Sequence, residues 1–111
     1  MIKINIKPNY PNTLVSFTAN NQSLTLEYSL RGGVFYGNLY LGNDLAIAGT
    51  PILHRTPINL YATETQISGY VYVIVDDEDR VLTLDNIGVT ANFYWSSTKP
   101  NSAKGGSDEG I

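Results

Sequence analysis

The sequence contains no cysteine. It therefore has no disulfide staple, no thiolate metal site and no cysteine nucleophile. A single histidine, His54, leaves too few donors for a histidine-based metal centre. Charged residues make up only 15% of the chain, against the roughly 25% usual for soluble domains. The balance is acidic, with a formal charge of -3, and the basic footprint of a nucleic-acid binder is missing. No apolar run approaches the ~18 residues that span a bilayer. The N-terminus alternates Ile2, Ile4 and Ile6 with Lys3, Asn5 and Lys7, unlike a secretory leader. No stretch keeps a helical period long enough to predict a helix.

What is present is alternation. Val15, Phe17 and Ala19 share one face, and Leu24, Leu26, Tyr28 and Leu30 alternate with Thr25, Glu27 and Ser29. A period of two marks half-buried strands. Asn20-Asn21 and Gly32-Gly33 supply residues that tolerate positive φ, so hairpin turns are expected at both places. A third turn, Gly42-Asn43-Asp44, separates an aromatic strand starting at Val34 from one ending near Gly49. Pro51 and Pro57 cannot donate to a ladder, which assigns that region to an edge or a loop. Gly69, Val71, Val73 and Val75 line one face of a further strand. Val89, Ala91, Phe93 and Trp95 line the last one. Residues 60–66 are polar and give no clear signal. A single helical turn is expected over Leu84, Asp85, Asn86, Ile87 and Gly88.

These signals predict an all-β fold: a single small antiparallel barrel or sandwich of six to eight strands, with an extended C-terminal tail. Phe17, Leu24, Leu26, Leu39, Val71, Val73, Phe93 and Trp95 are the expected core. Residues 1–96 form the predicted all-β domain. Residues 97–111 are a Gly/Ser-rich C-terminal extension with almost nothing to bury. Ordering it needs a neighbouring chain, most simply by strand addition to a sheet edge.

Chemistry is sparse. Asp76, Asp77, Glu78 and Asp79 form the densest charge cluster, but the glycine and distal glutamate of a calcium loop are absent. A solvated hairpin turn accounts for them. No serine sits in a nucleophile elbow, so His54 has no triad to join and reads as structural or surface. We expect no enzymatic activity, no cofactor and no metal.

The tyrosines carry more information. Tyr36, Tyr40, Tyr70, Tyr72 and Tyr94 fall opposite the apolar stripes of their strands. Three uses are open. Tyrosine offers contact area with a polar tip, as at protein interfaces. Its ring also stacks on sugars, and it packs well in ordinary sheets. The candidate partner-contact residues are these five together with Pro100 and Ile111 of the tail.

Three segments resemble a known family. They are Phe35-Tyr36-Gly37-Asn38-Leu39-Tyr40 with the run from Leu45 to Leu53, the strand from Gly69 to Asp76, and Leu82-Thr83-Leu84-Asp85-Asn86-Ile87-Gly88 leading into Val89-Thr90-Ala91-Asn92-Phe93-Tyr94. Over about residues 13–95 the chain resembles the small baseplate plug proteins of contractile-tailed bacteriophages. The Leu-Asp-Asn-Ile-Gly turn is the most specific part. The resemblance implies a non-enzymatic virion component near the hub of the tail baseplate, made in the bacterial host cytoplasm. Its partners would be other baseplate or hub proteins, with several copies in a symmetric assembly and no nucleic-acid or membrane contact. It implies no catalytic residues. The alternative is a carbohydrate- or receptor-binding β-domain, which would be monomeric and retain sugars.

Overall fold

The structure, a computed structural model, describes residues 1–59 and 67–100. Among these residues there are seven strands and no helix: β1 (Ile2–Ile4), β2 (Asn12–Ala19), β3 (Gln22–Arg31), β4 (Val34–Leu41), β5 (Asp44–Pro51), β6 (Tyr70–Val75) and β7 (Ala91–Ser96). They form two antiparallel sheets, β2-β3-β4-β5 and β1-β7-β6. The sheets do not close on each other, so the predicted barrel or sandwich is a sandwich.

The larger sheet is a meander because each turn is chemically specified. Asn20 and Asn21 both take positive φ (52° and 61°) between the paired residues Ala19 and Gln22. Gly32 and Gly33 do the same (58° and 83°) between Arg31 and Val34. Left-handed central residues match the twist of the flanking strands, which fixes both registers. Gly42, also at positive φ, turns β4 into β5. Pro51 lies at the end of β5, on the sheet edge, where its missing N–H breaks no ladder.

The core lies between the sheets. Leu24, Leu26, Tyr28, Phe35 and Leu39 from one sheet meet Ile4, Val71, Val73, Val75, Ala91, Phe93 and Trp95 from the other. Tyr28 joins the two layers: its ring stacks on Phe93 at 5.4 Å between centroids and meets Phe35 edge-on at 5.7 Å. Offset and edge-to-face pairs of this kind add to simple area burial. Phe17 differs from expectation. It packs against the core but is only half-buried, because β2 is an outer strand of its sheet.

Two features lock the smaller sheet. Gly69 adopts φ +87°, and a Cβ there would run into the Trp95 indole. The indole Nε1–H donates to the Ser68 carbonyl at 2.8 Å, so Trp95 is tied to the strand entry at both its face and its polar tip. The segment after β5 then runs along the outer edge of β6. Arg55 N–H donates to Val73 O (2.8 Å) and Ile58 N–H to Val71 O (2.7 Å). Asn59 spans Gly69 O and Val71 N–H with its side-chain amide. His54 Nδ1 accepts the Val75 N–H at 3.0 Å. The lone histidine is thus a cap on a strand edge. Burial, then the neighbouring Arg80 and Arg55 charges, hold its pKa below the ordinary value.

Candidate protein-contact surface

The turn that carries the most specific part of the resemblance is a built polar junction. Asn86 is buried (5% exposed). Its Nδ2 donates to Asp77 Oδ2 at 2.6 Å and to Val81 O at 2.8 Å, while its Oδ1 accepts the Thr83 N–H. Its backbone carbonyl receives the N–H groups of Val89, Thr90 and Ala91. Ile87 N–H reaches Thr83 O at 3.0 Å, which closes one unrepeated helical turn, as the sequence predicts. Thr90 Oγ1 donates to the other Asp77 oxygen at 2.8 Å. Donors from Asn86 first and Thr90 second hold the Asp77 carboxyl below its ordinary pKa. Asp77 of the acidic turn therefore has a defined task, which is to fasten the loop between β6 and β7.

The N-terminal segment docks on the same turn. Asn9, at φ 65°, donates its backbone N–H to Ile87 O and its side-chain amide to Leu84 O and Asp85 O. Gly88 sits so close beneath Pro8 that a Cβ would approach Pro8 Cα to 2.6 Å. The Asn-Ile-Gly sequence is thus required at each position: a buried bridging amide, a fully buried apolar side chain and a residue without Cβ.

The five candidate tyrosines do not form one patch. Tyr36 and Tyr40 lie on the outer face of the four-stranded sheet, and Tyr70, Tyr72 and Tyr94 belong to the three-stranded sheet. On the first face Tyr40 donates its hydroxyl to Glu27 Oε1 at 2.8 Å, and Asn38 Nδ2 donates to the same oxygen at 3.0 Å. Asn38 Oδ1 in turn accepts the Gly49 N–H at 2.7 Å, across the place where the β4–β5 register shifts. These bonds, Asn38 first, lower the Glu27 pKa, and the bond to Glu27 raises that of Tyr40. Arg31 lies over the Tyr36 ring, 4.6 Å from its centroid. Exposed apolar side chains border this array. Leu14 is opposite Glu27, Leu45 opposite Tyr40, and Val34 opposite Arg31.

On the other sheet Tyr72 and Tyr94 pair with ring centroids 6.4 Å apart. Tyr72 is buried, and its hydroxyl meets the Met1 sulfur at 3.1 Å. Tyr70 and Tyr94 are half-buried, with Lys3 opposite Tyr94. Pro100 follows β7 and is half-buried, and Ile111 lies outside the described residues. Sequence reasoning missed Glu27, Asn38 and Arg31 as members of the first face. Their alternation with Leu26, Leu39 and Leu30 was the available signal.

Among the described residues no cluster of three or more histidine, cysteine or carboxylate side chains could hold a metal. Among the described residues no helix is long and apolar enough to cross a membrane. The two sheets thus place Tyr36 and Tyr40 on one outer face, and half-buried Tyr70 and Tyr94 beside buried Tyr72 on the other sheet. Residues 1–99 match the family described as cyanophage baseplate Pam3 plug gp18. The chain belongs to this family of phage baseplate plug proteins. The match extends beyond the resemblance read from the sequence, taking in β1 and the docked Pro8-Asn9 segment. No curated protein matches the chain.

Proposed function

We propose that the protein is a non-enzymatic structural plug of a phage tail baseplate and acts through protein–protein contacts. The observation that carries this reading is the family match over residues 1–99. Its partners are other baseplate or hub proteins, its place is the tail of the virion, and several copies enter a symmetric assembly. Residues 1–96 are the folded domain, and residues 97–111 a contact extension whose composition offers no core of its own.

The outer face of the four-stranded sheet supports contact over sugar binding. A stacking platform needs a bare ring, and the Arg31 guanidinium lies over the Tyr36 ring, 4.6 Å from its centroid. A rigid aromatic and arginine array bordered by Leu14, Val34 and Leu45 has the composition of interface hot spots.

The test is biochemical. Tails purified from the encoding virus should contain this chain, and antibody labelling should mark the baseplate end. Absence of the chain from intact tails, or its retention on immobilised glycans, would overturn the proposal.

A further inference from the structure

The four outer strand edges of the sandwich are treated very differently. The outer edge of β6 is covered by the segment from His54 to Asn59, which satisfies Val71, Val73 and Val75. The β5 edge is interrupted by two register shifts against β4 and ends in Pro51. The β1 edge is only three residues long and carries Lys3. Short strands, bulges, proline and lysine are the usual ways to blunt an edge against pairing with another chain.

β2 has none of these devices. It runs for eight residues, Asn-Thr-Leu-Val-Ser-Phe-Thr-Ala, without a charge or a proline. Its register against β3 is unbroken from Asn12 to Ala19. Among the described residues it pairs only with β3. The direction of its backbone groups can be assigned. Leu30 N–H donates to Pro11 O, so Pro11 and Leu30 are a hydrogen-bonded pair. In an antiparallel ladder such pairs alternate with unbonded ones. Thr13, Val15, Phe17 and Ala19 therefore spend their backbone groups on β3. Asn12, Leu14, Ser16 and Thr18 point theirs outward.

We propose that this edge pairs antiparallel with the β2 edge of a second copy of the chain, which joins two four-stranded sheets into one continuous sheet. A two-fold axis at Val15 sets Leu14 against the second copy's Ser16 and Asn12 against its Thr18. Every outward backbone group of the strand then has a partner. The pairing is self-complementary because β2 carries no charge, so no like charges oppose each other. Val15 faces its own copy and Thr13 faces Phe17, which covers the two apolar side chains left half-buried at this edge. Neither the bulged β5 nor the strapped β6 offers an equally straight mate.

The experiment is the oligomeric state of the full chain, measured by sedimentation and light scattering over a concentration series. A dimer is expected. Leu14→Pro removes an outward N–H without touching the β3 ladder and should give monomers with an unchanged circular dichroism spectrum. Should that variant misfold, Leu14→Lys provides the second readout. It places two like charges beside the axis at an exposed position and should weaken dimerisation at least several-fold. Hydrogen exchange should show the Leu14, Ser16 and Thr18 amides protected only at dimer-forming concentrations. A wild-type chain that stays monomeric throughout overturns the proposal. So does a dimer that persists in folded Leu14→Pro, or one whose Ser16 amide exchanges freely. A strand of a different tail protein on this edge would appear as a monomeric chain whose β2 amides are protected only within the particle, and would equally overturn it.

Discussion

Asn86 donates its side-chain amide to the Asp77 carboxylate at 2.6 Å, and this bond joins the acidic turn after β6 to the turn that starts β7. The pair gives one member of the carboxylate run a structural role: Asp77 serves as an acceptor for the amide and for Thr90. Replacing Asn86 by Ala leaves the Thr83 N–H without its acceptor and Asp77 without its nearest donor. Loss of a buried hydrogen-bonded side chain of this kind costs about 1–3 kcal/mol. The Asp77 pKa should move up toward the ordinary carboxylate range, readable by carbon-detected NMR titration. An unchanged Asp77 titration in a folded Asn86→Ala variant would show that Thr90 alone sets it.

The pH dependence contributed by this carboxylate follows from the direction of its shift. A carboxyl held below its ordinary pKa in the folded state takes up its proton more readily when unfolded. Its stabilising contribution is complete above the unfolded pKa and is lost as pH falls through the folded one. His54 acts in the same sense at higher pH. The unfolded imidazole protonates near its ordinary pKa of about 6.5, whereas the folded ring resists, because burial first and then the Arg80 and Arg55 charges disfavour the cation, and protonation would also end its acceptance of the Val75 N–H. Stability is thus present above the unfolded histidine pKa and declines as pH falls below it. His54→Asn keeps an acceptor near Val75 without the titration. Its melting temperature should depend less on pH between about 7 and about 5 than that of the wild type. Equal slopes for the two proteins would remove His54 from the account.

The glycines separate conformational need from spatial need. Gly32 has positive φ but open space around it, so Gly32→Ala should cost about 1–3 kcal/mol for a left-handed non-glycine residue. Gly69 adds a collision with the Trp95 indole to the same backbone requirement. Gly69→Ala should therefore be much more destabilising than Gly32→Ala, and Trp95→Ala should cost about 3–5 kcal/mol as a buried aromatic truncation. Chemical denaturation of the three variants gives the order directly. Equal losses for the two glycine variants would show that Trp95 moves aside freely.

Much of this fold is readable from local chemistry. Asn20-Asn21 and Gly32-Gly33 announce two hairpins. The valines of β6 and Phe93 with Trp95 of β7 mark one wall of the core. Leu84 to Gly88 carries its helical turn in plain sight. What is less legible depends on long-range placement. Phe17 shares the alternation of Leu24 and Leu26, yet its strand lies at the margin of the sheet, and position in a sheet leaves no mark on a single strand's pattern. His54 offers no motif, because its partner is the backbone N–H of Val75, which no side-chain pattern encodes. The tyrosines show the same limit. Their outward alternation is visible, but Tyr36 with Tyr40 and Tyr72 with Tyr94 belong to different sheets, a separation set by topology. The Tyr72 hydroxyl meets the sulfur of Met1, which is distant in sequence.

The division of the tyrosines between two sheets makes their roles separable. Tyr40→Phe removes the hydroxyl that meets Glu27 on a half-buried outer face, where Asn38 still holds the carboxylate. Stability should change by no more than about 1 kcal/mol, the net worth of an ordinary hydrogen bond. Tyr36→Ala removes the ring beneath Arg31, whose guanidinium then loses its fixed orientation. If this face meets a baseplate partner, Tyr36→Ala should lower incorporation into tails well beyond its effect on the melting temperature of the isolated chain. Central aromatic and arginine anchors carry most of the binding energy in such surfaces. Tyr72→Ala should behave in the opposite way. Its ring is buried against its own chain, so the loss should fall on stability first, and incorporation should follow only as far as folding does. Quantifying the chain in purified tails alongside its melting temperature separates the two patterns. Parallel losses for Tyr36→Ala and Tyr72→Ala would assign both rings to packing and leave the four-stranded face without a role in assembly.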